Sequence, residues 1–310
     1  MENPMASEPA TPQSHLGKPK THEVVYRRNG VVGIAIPSLS GKQFALSAFR
    51  NPAIVDQVST SASTSASASA SASTSTSRAL KPKAIPTSFS VRSSMPPVYD
   101  QGELGSCVAN AACALLSYAN FRSVRRAHFT GSRLFMYFIG RGLDAITDSD
   151  PSQLVNDVGL YMDSALNGVR QYGILDESLY PYNVSNFAFL PSTTVYARAI
   201  RNKNVTFAAV PKTLIGLKNR LAAGFPIMFG ILIYENFFDN DNGEIPMPSG
   251  EVLGGHALVL VGYDDTTSRF TFRNSWGTSW GDEGYGTIPY AYLTSDDAFQ
   301  PSYVSKFTLV

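Results

Sequence analysis

The chain has 310 residues, 44% of them apolar and 11% aromatic, enough to bury one large core or two modest ones and too many for disorder to dominate. Its 25 Lys and Arg stand against 24 Asp and Glu, and no basic cluster is denser than Arg122-Ser-Val-Arg125-Arg126, which speaks against a nucleic-acid partner. The longest apolar run, Phe225 to Tyr234, is too short for a membrane span, and the polar stretch Met1 to Lys20 lacks the apolar core of a secretory signal.

The first segment, residues 1–58, carries Val, Tyr and Ile around Asn29-Gly30 between Glu23 and Ile36, a hairpin signal suited to accessory strands or a pro-segment. From Ser59 to Ser77 every residue is Ser, Ala or Thr, a composition expected to form a flexible linker because it offers little apolar surface to offset ordering. Residues 82–310 make up the dense body. Beyond Gly105-Ser106, the run from Cys107 to about Arg126 lacks Gly and Pro and is rich in Ala and Leu, which predicts a helix with Ser106 as N-cap and Cys107 in its first turn. Further helices are expected over Arg133 to Ile139, Met162 to Tyr172 and Thr213 to Ala223. Strands are expected over Pro226 to Tyr234, His256 to Tyr263, Arg269 to Asn274 and Gly284 to Ile288. Helices come first and strands follow, so the expected fold is α+β, a helical lobe and a mostly antiparallel lobe meeting at a cleft.

Only two cysteines occur, Cys107 and Cys113, too few for the disulfide framework of a secreted domain. Six residues apart on one helix, they point roughly 240° away from each other. A reducing compartment is the expectation. At a helix N-terminus Cys107 meets unpaired N–H groups and the positive end of the dipole. Thiolate is favoured there, and a neighbouring imidazolium would lower the thiol pKa to about 3.5–7.5. Cys113 reads as a buried small hydrophobe.

Three stretches carry the chemistry: Gln101-Gly-Glu-Leu-Gly-Ser-Cys107, Gly254-Gly-His256-Ala-Leu-Val-Leu-Val-Gly-Tyr263 and Asn274-Ser-Trp-Gly-Thr-Ser-Trp-Gly-Asp-Glu-Gly-Tyr285. In this order the set resembles the papain (cathepsin) family of cysteine peptidases over roughly Ala84 to Tyr292. The resemblance implies a two-lobed papain-like fold and a thiol protease acting on peptide or protein substrates. It makes Cys107 the nucleophile, His256 the base, Asn274 its orienting partner and Gln101 the side-chain donor of the oxyanion hole. Trp276 would shield the His256–Asn274 hydrogen bond, and Trp280 would pack near the primed side of the cleft. Gly159 and Ala257 are expected beside the substrate. No metal or organic cofactor is implied.

The chain also departs from the family's pattern. Leu104 stands where the family usually has Cys, Val108 where it has an aromatic, and Asp157-Val-Gly159-Leu is only an approximate counterpart of its Cys-Asn-Gly-Gly segment. These losses resemble the disulfide-poor branch found in prokaryotes and large DNA viruses, and they suggest an intracellular protein or one packaged in a particle. His15, His22 and His128 read as surface or structural residues. The run Asp239 to Glu244 reads as a solvated turn and not a calcium loop, because Phe238 and Ser249 occupy the first and last ligand positions. Two other functions use the same sequence features: acyl transfer or isopeptide cleavage by the same Cys-His pair, and a non-catalytic scaffold, which the intact set Gln101, Cys107, His256 and Asn274 disfavours. Substrate preference and oligomeric state are not legible in the residues.

Overall fold

The computed structural model describes residues 84–124, 128–240 and 242–309. The hairpin signal before Ile36 and the Ser59 to Ser77 tract lie outside them. Among the described residues the chain forms α1 (Cys107–Val124), α2 (Arg133–Asp148), α3 (Met162–Tyr172), α4 (Thr193–Ala199), α5 (Leu214–Ala222) and α6 (Tyr290–Thr294). Its strands are β1 (Ser88–Ser90), β2 (Thr206–Ala209), β3 (Ile227–Tyr234), β4 (Val252–Asp264), β5 (Arg269–Arg273), β6 (Tyr285–Pro289) and β7 (Ala298–Lys306).

The strands make one antiparallel sheet in the order β2-β7-β3-β4-β5-β6, with β1 paired to β4 beyond the end of β3. The long strand β4 shows how one sheet serves two cores. Successive side chains alternate between faces, so Ala257, Val259 and Val261 join the cluster built on the helices, while Leu258 and Leu260 join the one formed with β5 and α5. Helix α1 lies between the helical layer and the sheet, packed on α2, α3, β4 and β7. Fourteen of its 18 residues, Cys107 through Asn120, are buried. A helix apolar on all sides belongs in an interior, and the small Ala side chains of α1 let both layers approach its axis. Helices in front and an antiparallel sheet behind are the α+β arrangement expected.

Three differences from the expected elements have local causes. Helix α2 runs to Asp148 and not merely to Ile139, passing through Gly140 and Gly142. Gly140 is a point of close approach: a Cβ there would lie 2.4 Å from a Leu160 methyl. Strand β4 begins at Val252, four residues before His256, because Gly254 and Gly255 are in the ladder opposite Ile233 and Leu232. Strand β7 lies beyond the strands expected from the sequence, and it contains Pro301, which cannot donate to a ladder. The left-handed conformation of Gln300 (φ 48°) kinks the strand just before the proline. Pairing with β2 and β3 then proceeds on either side through shifted registers.

Candidate active site

The residues singled out on three distant stretches converge where the start of α1 meets β4. Cys107 opens α1, with the Ser106 carbonyl accepting from Asn110 N–H at 3.0 Å as the first helical bond. The Ser106 hydroxyl lies 2.5 Å from that of Tyr182 and accepts from the Asn110 amide at 3.0 Å, so it is engaged in the tertiary packing of the helix start. The Cys107 sulfur accepts the backbone N–H of Ala257 at 3.2 Å. Cys113, also buried, lies against the Met136 sulfur at 3.8 Å, and the two thiols are not bonded to one another.

His256 is placed by β4, opposite Ile231 of β3, and is fully buried. Its Nε2 lies 2.8 Å from Asn274 Oδ1. That atom also accepts the Ser275 backbone N–H at 2.8 Å; since a backbone N–H only donates, the contact identifies the atom as oxygen and Nε2 as the protonated ring nitrogen. Trp276 stacks on the imidazole, with centroids 4.7 Å apart and planes at 22°. Phe238 stacks on Trp276 in turn (5.9 Å, 11°), and Trp280 meets Trp276 at right angles (5.6 Å, 89°). Trp276 is thus an aromatic cover over the ring; Trp280 is half-buried beside it.

Gln101 is completely buried and held at both ends of its amide. Its Oε1 accepts the Ser275 hydroxyl at 2.6 Å, and its Nε2 donates one hydrogen to the Leu104 carbonyl at 3.0 Å. The backbone around it is stitched to the Asn274 loop, Gln101 N–H to Ser275 carbonyl at 2.8 Å and Gly277 N–H to Tyr99 carbonyl at 3.0 Å. Gly159 is buried with φ at +85°, and its N–H donates to the Tyr137 hydroxyl at 3.2 Å.

Two buried arginines support this region, and sequence reasoning passed over both. Arg133 binds Glu177 through Nε and Nη2, each at 2.8 Å, while Nη1 reaches the Asp100 carbonyl at 2.9 Å and Asn110 Oδ1 at 3.0 Å. Arg273 donates to the Pro96 and Pro97 carbonyls at 2.8 and 2.7 Å. Both guanidinium groups also lie on the Tyr99 ring, at 4.9 and 4.6 Å. Buried charge is tolerable only when fully bonded, and here three of the bonds go to main-chain carbonyls just before Gln101, those of Pro96, Pro97 and Asp100. A signal existed: arginine inside an otherwise apolar helix start and strand end is rarely idle.

The helix terminus alone does not make Cys107 a thiolate, which corrects the expectation drawn from its position. Burial pushes the thiol up to about 12, and the N–H groups of Ala257, Val108 and Cys107 itself offset only part of that. Desolvation of a fully buried sulfur outweighs the dipole. An anion at this sulfur needs a cation beside it.

The profile described as papain family cysteine protease matches residues 146–294, a span that includes His256 and Asn274 but begins after Cys107. An uncharacterized peptidase C1-like protein of Acanthamoeba polyphaga mimivirus is 32% identical over 236 residues, covering 70% of this chain and 74% of the viral one. The chain belongs to the papain family of cysteine proteases. Among solved structures, xylellain, a cysteine protease from Xylella fastidiosa, superposes with a TM-score of 0.65 at 29% identity over 73% of this chain and 88% of its own. The thiol protease aleurain of Arabidopsis thaliana is 26% identical over 206 residues, 61% of this chain and 51% of aleurain. In this papain-like peptidase both cysteines, Cys107 and Cys113, are free. No described helix is long and apolar enough to cross a membrane.

Proposed function

We propose that the protein is an endopeptidase that hydrolyses peptide bonds through a thioacyl intermediate on Cys107. The observation that carries this reading is the meeting of the Cys107 sulfur with the N–H of Ala257, the residue after a histidine whose Nε2 is bonded to Asn274. With Nε2 engaged, proton exchange with the thiol falls to Nδ1. His256 takes the Cys107 proton on Nδ1, the resulting thiolate attacks the scissile carbonyl, and the imidazolium then protonates the departing amine. Water, deprotonated by the same nitrogen, adds to the thioester, and the thiol leaves with the proton restored. Through both steps the carbonyl oxygen gains charge. Gln101 supports that charge with the amide hydrogen not given to Leu104, and the Cys107 N–H with the other donor; both are in place beforehand, so no reorganisation is needed.

Asn274 fixes the ring without adding a second anion near the sulfur, and Trp276 keeps water from their bond. Gly159, whose N–H is taken by Tyr137, offers its carbonyl to an extended substrate, and Ala257 and Trp280 contribute walls on either side of His256. The test is hydrolysis of an internally quenched peptide library by the wild type and by Cys107→Ala. Complete loss in the variant, with new termini generated inside the peptides by the wild type, is expected. An active Cys107→Ala protein overturns the nucleophile, and release of transfer products only, with added amines as acceptors, overturns hydrolysis.

A further inference from the structure

One peptide unit near the sulfur is held from both sides. The group joining Leu104 to Gly105 accepts a Gln101 amide hydrogen on its carbonyl at 3.0 Å, and its N–H points between the two carboxylate oxygens of Asp157 at 3.1 and 3.0 Å. The C=O and N–H of a peptide are conjugated. A carboxylate on the N–H therefore polarises the carbonyl and strengthens whatever bond that carbonyl accepts, and a charge-assisted bond is roughly twice as strong as a neutral one.

The setting favours such a relay. Gln101, Leu104, Gly105 and Tyr137 are all buried, so water competes little for these bonds. Asp157 also accepts the Tyr137 hydroxyl from α2, and Tyr137 receives the Gly159 N–H. The stretch leading into Asp157 is itself anchored: buried Arg141 of α2 donates to the carbonyls of Gln153 and Leu154 at 3.0 Å and of Asn156 at 3.1 Å. Leu104 gives no covalent tie to this stretch; the Asp157–Gly105 bond ties it to the loop before Cys107.

We infer that Asp157 is a positioning residue for catalysis: through the Leu104–Gly105 peptide it holds the Gln101 amide in the orientation that meets the developing oxyanion. This rests on the proposed role of Gln101, and its effect cannot exceed the loss of Gln101 itself, about 10²–10³ in kcat. Removing the acceptor should give a fraction of that.

The experiment is a double-mutant cycle in the full chain, with a fluorogenic peptide as substrate and the Gln101 side-chain amide resonances as a second readout, assigned by their disappearance in Gln101→Ala. Asp157→Ala is expected to lower kcat about 10–100-fold with KM within two-fold, and Asp157→Asn, which keeps an acceptor without the charge, to recover most of it. In the Gln101→Ala background Asp157→Ala should cost less than about two-fold. Equal losses in both backgrounds overturn the inference. Should Gln101→Ala itself keep full kcat, the oxyanion reading falls; the relay then stands if Asp157→Asn shifts the Gln101 amide resonances and falls if they do not move. Where Asp157→Ala does not fold, Asp157→Asn carries the same comparison with a smaller, several-fold drop.

Discussion

The Cys107 sulfur accepts the Ala257 backbone N–H at 3.2 Å, so the first residue of α1 is tied to the residue that follows His256 on β4. The tie joins the helical layer to the sheet beside His256. It also sets the sulfur in a dry place, where burial holds the proton on it. On the proposed mechanism the thiolate then depends on His256 taking that proton.

Alkylation measures that dependence directly. At pH 6 iodoacetamide should label Cys107 in the wild type and leave the buried Cys113 unlabelled, and His256→Ala should slow the labelling by about 10²-fold or more, since only the thiolate reacts. Mass spectrometry of the labelled peptides gives the rates. An unchanged rate at Cys107 in His256→Ala contradicts the ion pair. Cys113→Ala should leave peptide hydrolysis within a few-fold.

Gln101→Ala should lower kcat by about 10²–10³ with little change in KM, because an oxyanion donor acts mainly in the transition state. Ser275→Ala removes only the hydroxyl that holds Gln101 Oε1. It leaves the Leu104 anchor, so its loss should be smaller, about ten-fold. Steady-state kinetics of the two variants decide the matter; an effect confined to KM removes Gln101 from the role.

Asn274→Ala should reduce kcat without abolishing it, because His256 remains but is free to turn on the face of Trp276. Trp276→Ala should do comparable harm by a different route, admitting water to the 2.8 Å bond between His256 and Asn274. Burial of a tryptophan also contributes to stability, so Trp276→Ala should lose about 3–5 kcal/mol, while Asn274→Ala loses less. Chemical denaturation separates the two variants where activity does not.

Much of this site was legible because its parts lie in short local patterns. Cys107 at a helix start, and His256 and Asn274 at the ends of apolar strands, announce themselves in a few residues each. The supports were not legible, because they act across the fold. Asp157 meets Gly105 from 52 residues away, and Arg133 and Arg273 reach the same segment, Pro96 to Asp100, from opposite directions. No spacing along the chain reveals such contacts. The same limit explains the thiol: the helix terminus is a local property, while the burial that outweighs it belongs to the whole core. Strand β7 carries a proline that weakens any strand pattern along the chain, and the kink at Gln300 that accommodates it belongs to the fold.

Asp144 on α2 couples stability to pH. The side chain is buried, its Oδ2 accepting the Tyr161 N–H at 2.9 Å. Burial, with a smaller push from Asp148, raises its pKa to about 7, against hydrogen bonds from Ser164 and Tyr161 and the charge of Arg141. In the unfolded chain it ionises near 4. Between these values the folded state keeps a proton that the unfolded state has lost, so the contribution of Asp144 to stability is fullest below about pH 4 and declines as pH rises to about 7, by an order of 2–4 kcal/mol. Asp144→Asn cannot ionise and still offers an oxygen to Tyr161. The difference in Tm between variant and wild type should therefore be near zero at pH 4 and favour the variant at pH 8, the change falling between those values. Taking the difference cancels every other titrating group common to both. A pH-independent difference would show that Asp144 is charged throughout. Arg141, one turn before it, gathers the carbonyls that lead to Asp157, so comparing the kcat of wild type and variant at pH 8 also reports whether the charge on Asp144 reaches the proposed Gln101 relay.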